Sequence, residues 1–142
     1  MSTPTPLGFS PIERRSPFTD LIGPIYGFQD DAGLVLAITV EAKHCNARGF
    51  VHGGVLSTLA DIAMGYNAVL QSKQPTGLVT ANLTLDFAGS AHIGDWLSVT
   101  VDVQKVGGTL AFANCYFSVA GERIAPASAV FCKPQSKSNA KT

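Results

Sequence analysis

From Gly53 to Gln71 the chain runs without a proline. Its apolar residues fall at nearly every angle of a helical wheel: Val55, Leu56, Leu59, Ala60, Ile62, Met64, Tyr66, Val69 and Leu70. A helix that is hydrophobic all round has to be buried on all sides by other elements. Ala60, Ala63, Gly65 and Ala68 are small enough to let a neighbouring layer come close. The residues that follow can form that layer. Residues 77–87 alternate through Val79, Ala81, Leu83, Leu85 and Phe87, and residues 96–106 alternate again. Gly107-Gly108 makes a tight turn into residues 110–119, and Ala120-Gly121-Glu122-Arg123 turns the chain into a last strand, 124–133. Strands joined by such short turns pair antiparallel. The expected class is α+β, a curved antiparallel β-sheet around one long central helix.

Upstream, the apolar, β-branched run 34–40 reads as a further strand, Phe18–Ile22 as a short helical turn, and 42–51 as a loop turning at Asn46 and Gly49. Residues 1–16, with Pro4, Pro6 and Pro11, read as a loose arm, and 136–142 as a frayed polar tail. A chain of 142 residues with no repeat or linker suits a single domain spanning 1–142. Composition narrows the partners. The chain is 46% hydrophobic and 14% charged, with ten basic residues against ten acidic ones. That supports a full core and gives no basic footprint for nucleic acid. So little charge points to a surface covered by ligand or by a second subunit. The longest apolar stretch, Val55–Leu70, is interrupted by Asp61 and Asn67, so no membrane span is expected, and without a signal-peptide pattern the protein reads as cytoplasmic. Cys45, Cys115 and Cys132 are an odd, sparse set, read as free thiols of a reducing compartment. There is no CxxC or HExxH pattern, and adjacent His44 and Cys45 do not point at one centre, so no metal site is expected.

Between Gly49 and Ser72 the one formal charge, apart from a proton on His52, is Asp61. An ionised carboxylate in apolar surroundings costs several kcal/mol unless it is paired or hydrogen-bonded, and aspartate is a poor mid-helix residue. Such a group is either a structural clasp or a working base, and burial would sharpen it as a base. Ahead of it stands His52-Gly53-Gly54. Glycines at a helix start expose unpaired N–H donors and the positive end of the helix dipole, a combination that stabilises an oxyanion. The eight residues from Gly53 to Asp61 span about 12 Å of helix and about 80° of rotation. One small reacting group cannot touch both within one chain. Two antiparallel copies of the helix would bring Asp61 of one subunit beside Gly53 of the other, so a twofold homodimer with two composite sites is expected if both elements act together.

The run from Asn46 to Asp61 also closely resembles a known signature, N-x(5)-H-G-G-x(6)-D, of the PaaI-like hotdog-fold acyl-CoA thioesterases. Gly77-Leu78-Val79-Thr80, Ile93-Gly94-Asp95 and Gly107-Gly108-Thr109-Leu110-Ala111 resemble that family's downstream strand starts and turns, and the likeness spans about Phe18 to Pro134. The resemblance implies a hotdog fold, a dimer or dimer of dimers, and hydrolysis of an acyl- or aryl-CoA thioester without a cofactor, CoA being part of the substrate. By position it implies Asp61 as general base or nucleophile and the Gly53 N–H as donor to the thioester oxygen. Asn46 would place substrate or water, His52 would orient the loop, and Thr80 would assist the water beside the carboxylate. Gly54, Leu56, Leu59 and Met64 would line the substrate, and Arg48, Lys105, Arg123 and Lys133 are candidate cations for the CoA phosphates.

Other branches of the fold match less. The hydratase pattern Gly-Asp-x-Asn-Pro-x-His stops here at Gly94-Asp95, which Trp96-Leu97 follows. The dehydratase type wants a histidine with a Pro-Gly turn before the helix, which is absent. A non-catalytic acyl-CoA-binding protein on the same fold is the alternative, and Asn46, His52-Gly53-Gly54 and Asp61 standing together favour the enzyme.

Overall fold

The computed structural model of the protein describes residues 4–72 and 77–134. Chain order runs β1 (Ser10–Pro11), α1 (Pro17–Ile22), β2 (Tyr26–Asp30), β3 (Gly33–Thr39), a 3-10 turn (Ala42–His44) and α2 (Gly53–Ser72). Then follow β4 (Val79–Leu85), β5 (Trp96–Val106), β6 (Leu110–Val119) and β7 (Glu122–Cys132). All seven strands form one sheet in the order β1-β2-β3-β5-β6-β7-β4, and every pairing is antiparallel.

Helix α2 lies against this sheet. Its buried residues Leu56, Leu59, Ala60, Ala63, Met64, Asn67 and Ala68 recur at helical spacing and make a single stripe. Facing them, the registers Ala113↔Ala129, Cys115↔Ala127 and Phe117↔Ala125 put buried side chains on one face of β6 and β7. The alanines leave a shallow trough in which a helix can sit close to the backbone. Complete burial of the helix, expected from its apolar wheel, is not what the chain does. The face carrying Ser57, Thr58, Asp61 and Ile62 is only half-buried, because the sheet covers one side alone.

Asn67, which interrupts the apolar helix, fastens it to the sheet. Its Oδ1 accepts from the Leu34 N–H at 2.9 Å, and its Nδ2 donates to the carbonyls of Leu34 at 2.9 Å and Ala63 at 2.8 Å. The neighbouring Gly33 has φ +136°, and a Cβ there would stand 2.5 Å from the Asn67 oxygen, so no other residue fits the β2–β3 turn beside this clasp.

Three sequence expectations need correction. The arm 1–16 is not loose throughout: Ser10 and Pro11 pair with Gly27 and Tyr26, and the Ile12 N–H donates to the Ile25 carbonyl. Strand β2 was not expected, since Tyr-Gly-Phe-Gln-Asp carries a glycine and a polar end. The alternation read through β4 breaks at a bulge between Thr80 and Asn82. Val79 and Ala81 are exposed, Leu83 and Leu85 are half-buried, and Thr80 reaches the helix, because an extra residue in one strand reverses which side chains point inward. The tail 136–142 and the helix-closing residues 73–75 lie outside the described residues.

Candidate active site

The entry to α2 is built from backbone hydrogen bonds. Asn46 organises the preceding loop: its Oδ1 accepts from the N–H groups of Arg48 (2.9 Å) and Phe50 (3.2 Å), and its own N–H donates to the Phe50 carbonyl (2.8 Å). With the side-chain oxygen used twice, its Nδ2 group is the end left to offer to a ligand. The loop is clamped on both sides, by Val51 N–H to the Ala91 carbonyl at 2.9 Å and by His52 N–H to the buried His44 carbonyl at 2.8 Å. His44 does no chemistry here. Its Nδ1 accepts from the Glu41 N–H and its Nε2 donates to the Ile22 carbonyl, so both ring nitrogens hold chain segments together.

His52 caps the helix. Its Nδ1 accepts from the Gly54 N–H at 2.9 Å, which takes Gly54 out of the supply of free donors. The Val55 and Leu56 N–H groups turn back to the His52 carbonyl. Gly53, the first residue of α2, keeps its N–H without a protein acceptor among the described residues. A Cβ on Gly53 would stand 2.8 Å from the ring of Phe87, so the glycine leaves room for that ring beside the exposed N–H.

Gly53 opens into a cleft of about 520 Å³ that is also lined by Asn46, Arg48, Leu56, Phe87 and Ser90. Arg48 lies at its rim, with its guanidinium 5.6 Å from the centre of the Phe50 ring. Asp61 opens into a different cleft, of about 470 Å³, walled by Phe18, Thr19, Thr58, Ile62, Thr80 and Leu83. There the half-buried carboxylate accepts a 2.5 Å hydrogen bond at Oδ1 from the Thr80 hydroxyl. The bulge in β4 is what turns Thr80 to this face. A single chain therefore brings Asp61 and Thr80 together, and Asn46, Gly53 and Arg48 together, and keeps the two groups apart.

Leu59 and Met64, expected to line the substrate, are among the lining residues of neither cleft. They are 1% and 0% exposed, shut into the helix–sheet core. Of the helical stripe that carries Leu56, only Leu56 itself lines either of these two clefts. Of the other cations, Arg123 stacks 4.0 Å over the Tyr116 ring and is among the lining residues of neither cleft. Among the described residues no group of three or more His, Cys, Asp or Glu side chains gathers as metal ligands would, and no helix is long and apolar enough to cross a membrane.

Residues 48–124 match the family described as the thioesterase superfamily, which is more than half of the chain. The chain belongs to the thioesterase superfamily. A Pseudomonas aeruginosa protein that carries a provisional esterase name is 45% identical over 130 residues, covering 91% of this chain and 97% of that one. Human acyl-coenzyme A thioesterase 13 is 31% identical over 81 residues, 57% of each chain. The crystal structure of zebrafish thioesterase superfamily member 2 superposes with a TM-score of 0.76 at 27% identity, covering 84% of this chain and 88% of that one. The fold is the hotdog thioesterase fold and the protein is a thioester hydrolase.

Several residues of this thioesterase's clefts were invisible to sequence reasoning. Phe87 carried a signal, as the next apolar residue after the β4 alternation, but its place beside Gly53 depends on how the chain leaves the sheet. Phe18 and Thr19 come from a turn of helix far from the motif in sequence, and nothing in their spacing points to Asp61.

Proposed function

We propose that the protein hydrolyses acyl- or aryl-CoA thioesters to the free acid and CoA, with Asp61 as base or nucleophile. One observation carries this reading: the lone carboxylate of α2 is held half-buried in a cleft, with one oxygen fixed by Thr80 and the other left to act. Either Asp61 takes a proton from a water that attacks the carbonyl carbon, or its free oxygen attacks directly and water then releases the acid. In both routes the C–S bond breaks and the CoA thiolate leaves, taking up a proton. The negative charge that builds on the thioester oxygen meets the Gly53 N–H at the positive end of α2. Asn46 lines the same cleft as Gly53, and its Nδ2 would hold the carbonyl or the water.

The two clefts share no lining residue, so the reading requires a homodimer in which Asp61 and Thr80 of one subunit face Gly53 and Asn46 of the other. A dimer of dimers is compatible with the half-buried outer face of α2. Arg48, at the rim of the Gly53 cleft, is the cation we assign to the CoA phosphates. No cofactor is needed by this chemistry. Free Cys45, Cys115 and Cys132 fit a cytoplasmic protein.

The test is Asp61→Asn, which keeps shape but neither accepts a proton nor attacks. Turnover of a panel of acyl- and aryl-CoA thioesters, followed by thiol release, should fall to near background in a dimer with unchanged circular dichroism. Near-normal hydrolysis by the folded variant would remove Asp61 from the chemistry and leave its carboxylate as a clasp for Thr80, whereas a wild type that binds these thioesters and hydrolyses none would be an acyl-CoA binder.

A further inference from the structure

The two clefts differ in chemistry, and the difference orients the substrate. The Gly53 cleft holds the cation Arg48 and the amide of Asn46, groups suited to the phosphorylated, polar end of a CoA thioester. The Asp61 cleft has no cation among its lining residues. Beside the Asp61 carboxylate its polar lining is uncharged hydroxyls, those of Ser16, Thr19, Ser57, Thr58 and Thr80, and its apolar lining is the side chains of Phe18, Ile62 and Leu83. If the carbonyl carbon lies between Asp61 and Gly53 and the CoA runs toward Arg48, the acyl group runs the other way, toward Phe18.

Phe18 is presented for such a contact. It is 54% exposed although it walls a cleft, so a ring face remains open to be covered. The short helix that carries it is fixed at both ends. Ser16 and Thr19 cap its start reciprocally with Pro17 in the first turn, and at its end Ile22 accepts from His44 Nε2 at 2.6 Å while the Gly23 carbonyl accepts from the Lys43 ammonium. A rigidly held, half-open aromatic ring beside the reacting carboxylate suits a flat or bulky apolar acyl group better than a short one.

Resting on the thioesterase reading above, we propose that Phe18 is a specificity-determining residue that contacts the acyl group and favours aromatic acyl chains over acetyl. The experiment compares kcat/KM for phenylacetyl-CoA, hexanoyl-CoA and acetyl-CoA in the full-length wild type, Phe18→Ala, Phe18→Leu and Leu21→Ala. Acetyl, the shortest of the three acyl groups, serves as the internal reference. Phe18→Ala should lower the phenylacetyl-to-acetyl ratio of kcat/KM by roughly three- to tenfold. Phe18→Leu should retain most hexanoyl turnover while losing the aromatic preference. Leu21, 70% exposed on the same helix and outside the cleft lining, should leave every ratio as in the wild type. An unchanged ratio in folded Phe18→Ala and Phe18→Leu overturns the proposal, as does a fall that is equal for all three thioesters or is reproduced by Leu21→Ala. Failure of the wild type to hydrolyse any of the three would instead overturn the thioesterase reading beneath it.

Discussion

A site divided between two chains can be rebuilt from two broken ones. Gly53→Pro removes the N–H aimed at the thioester oxygen, and Asp61→Asn removes the carboxylate. Gly53 is the first residue of α2, where proline fits the helix, so the fold should survive. The new ring atoms would press on Phe87, which is 61% exposed and free to swing out. Gly53→Ala presses on the same ring but keeps the N–H, and so separates crowding from loss of the donor. Loss of one oxyanion donor costs on the order of a hundredfold or more in rate, so Gly53→Pro should fall at least that far and Gly53→Ala much less. Within one chain about 12 Å of helix separates the two residues. In a mixed dimer, one composite site then collects both defects and the other collects neither. Co-expression with equal mixing makes about half of the dimers mixed, so roughly a quarter of wild-type sites return, and a purified doubly tagged dimer should show about half of wild-type turnover. The assay is thiol release from that doubly tagged species. Mixed dimers as inactive as either parent, or a monomer that stays active at high dilution, would refute a site shared between subunits.

Thr80→Val keeps the β-branched shape but loses the hydroxyl that donates to Asp61; kcat/KM should fall by about tenfold, and unchanged steady-state kinetics would remove Thr80 from the site. Asn67→Leu breaks three hydrogen bonds at a residue 5% exposed and strands the Leu34 backbone. It should cost about 3 kcal/mol, read as a lower urea midpoint, and a loss well under 1 kcal/mol would mean the clasp contributes little. Burial pushes the Cys115 thiol up from 9.0 to about 12. The folded chain therefore keeps a proton that the unfolded chain releases, and this contribution to stability is full below pH 9 and drains as pH rises toward 12. Urea titrations between pH 8 and 11 should show that decline, weakened in Cys115→Ala, and iodoacetamide should label Cys115 only on unfolding.

The helix and the last three strands were legible because each carries its own period: residues 96–106 and 110–119 were read with the bounds they have. Asp61 was legible for the opposite reason, as a charge that breaks its surroundings. What escaped depends on pairing. Strand β2 exists because β3 offers it an edge from Tyr26 to Asp30, which no local pattern in Tyr-Gly-Phe-Gln-Asp announces. The bulge at Ala81 is set by β7, and with it the side to which Thr80 turns. Leu59 and Met64 have the same apolar character as Leu56, and only the placement of the sheet decides which of them meets a cleft. Asn67 read as an interruption of the helix, whereas its two-sided bonding to Leu34 makes it an anchor.

The strand order also bears on when the site comes into being. Strand β4 is made early in the chain, directly after the helix, yet among the described residues its one strand neighbour is β7, the last of the described elements. It has to wait, unpaired, while β5, β6 and β7 zip together through short turns, and only then can it close a long loop onto β7, at an entropic cost that the short turns do not carry. The hydroxyl that grips Asp61 is thus delivered by a strand that has no strand partner until β7 is made. During synthesis the chain would hold a nearly finished sheet before the carboxylate is clasped, and a nascent protein would reach catalytic competence only once its final strand had left the ribosome.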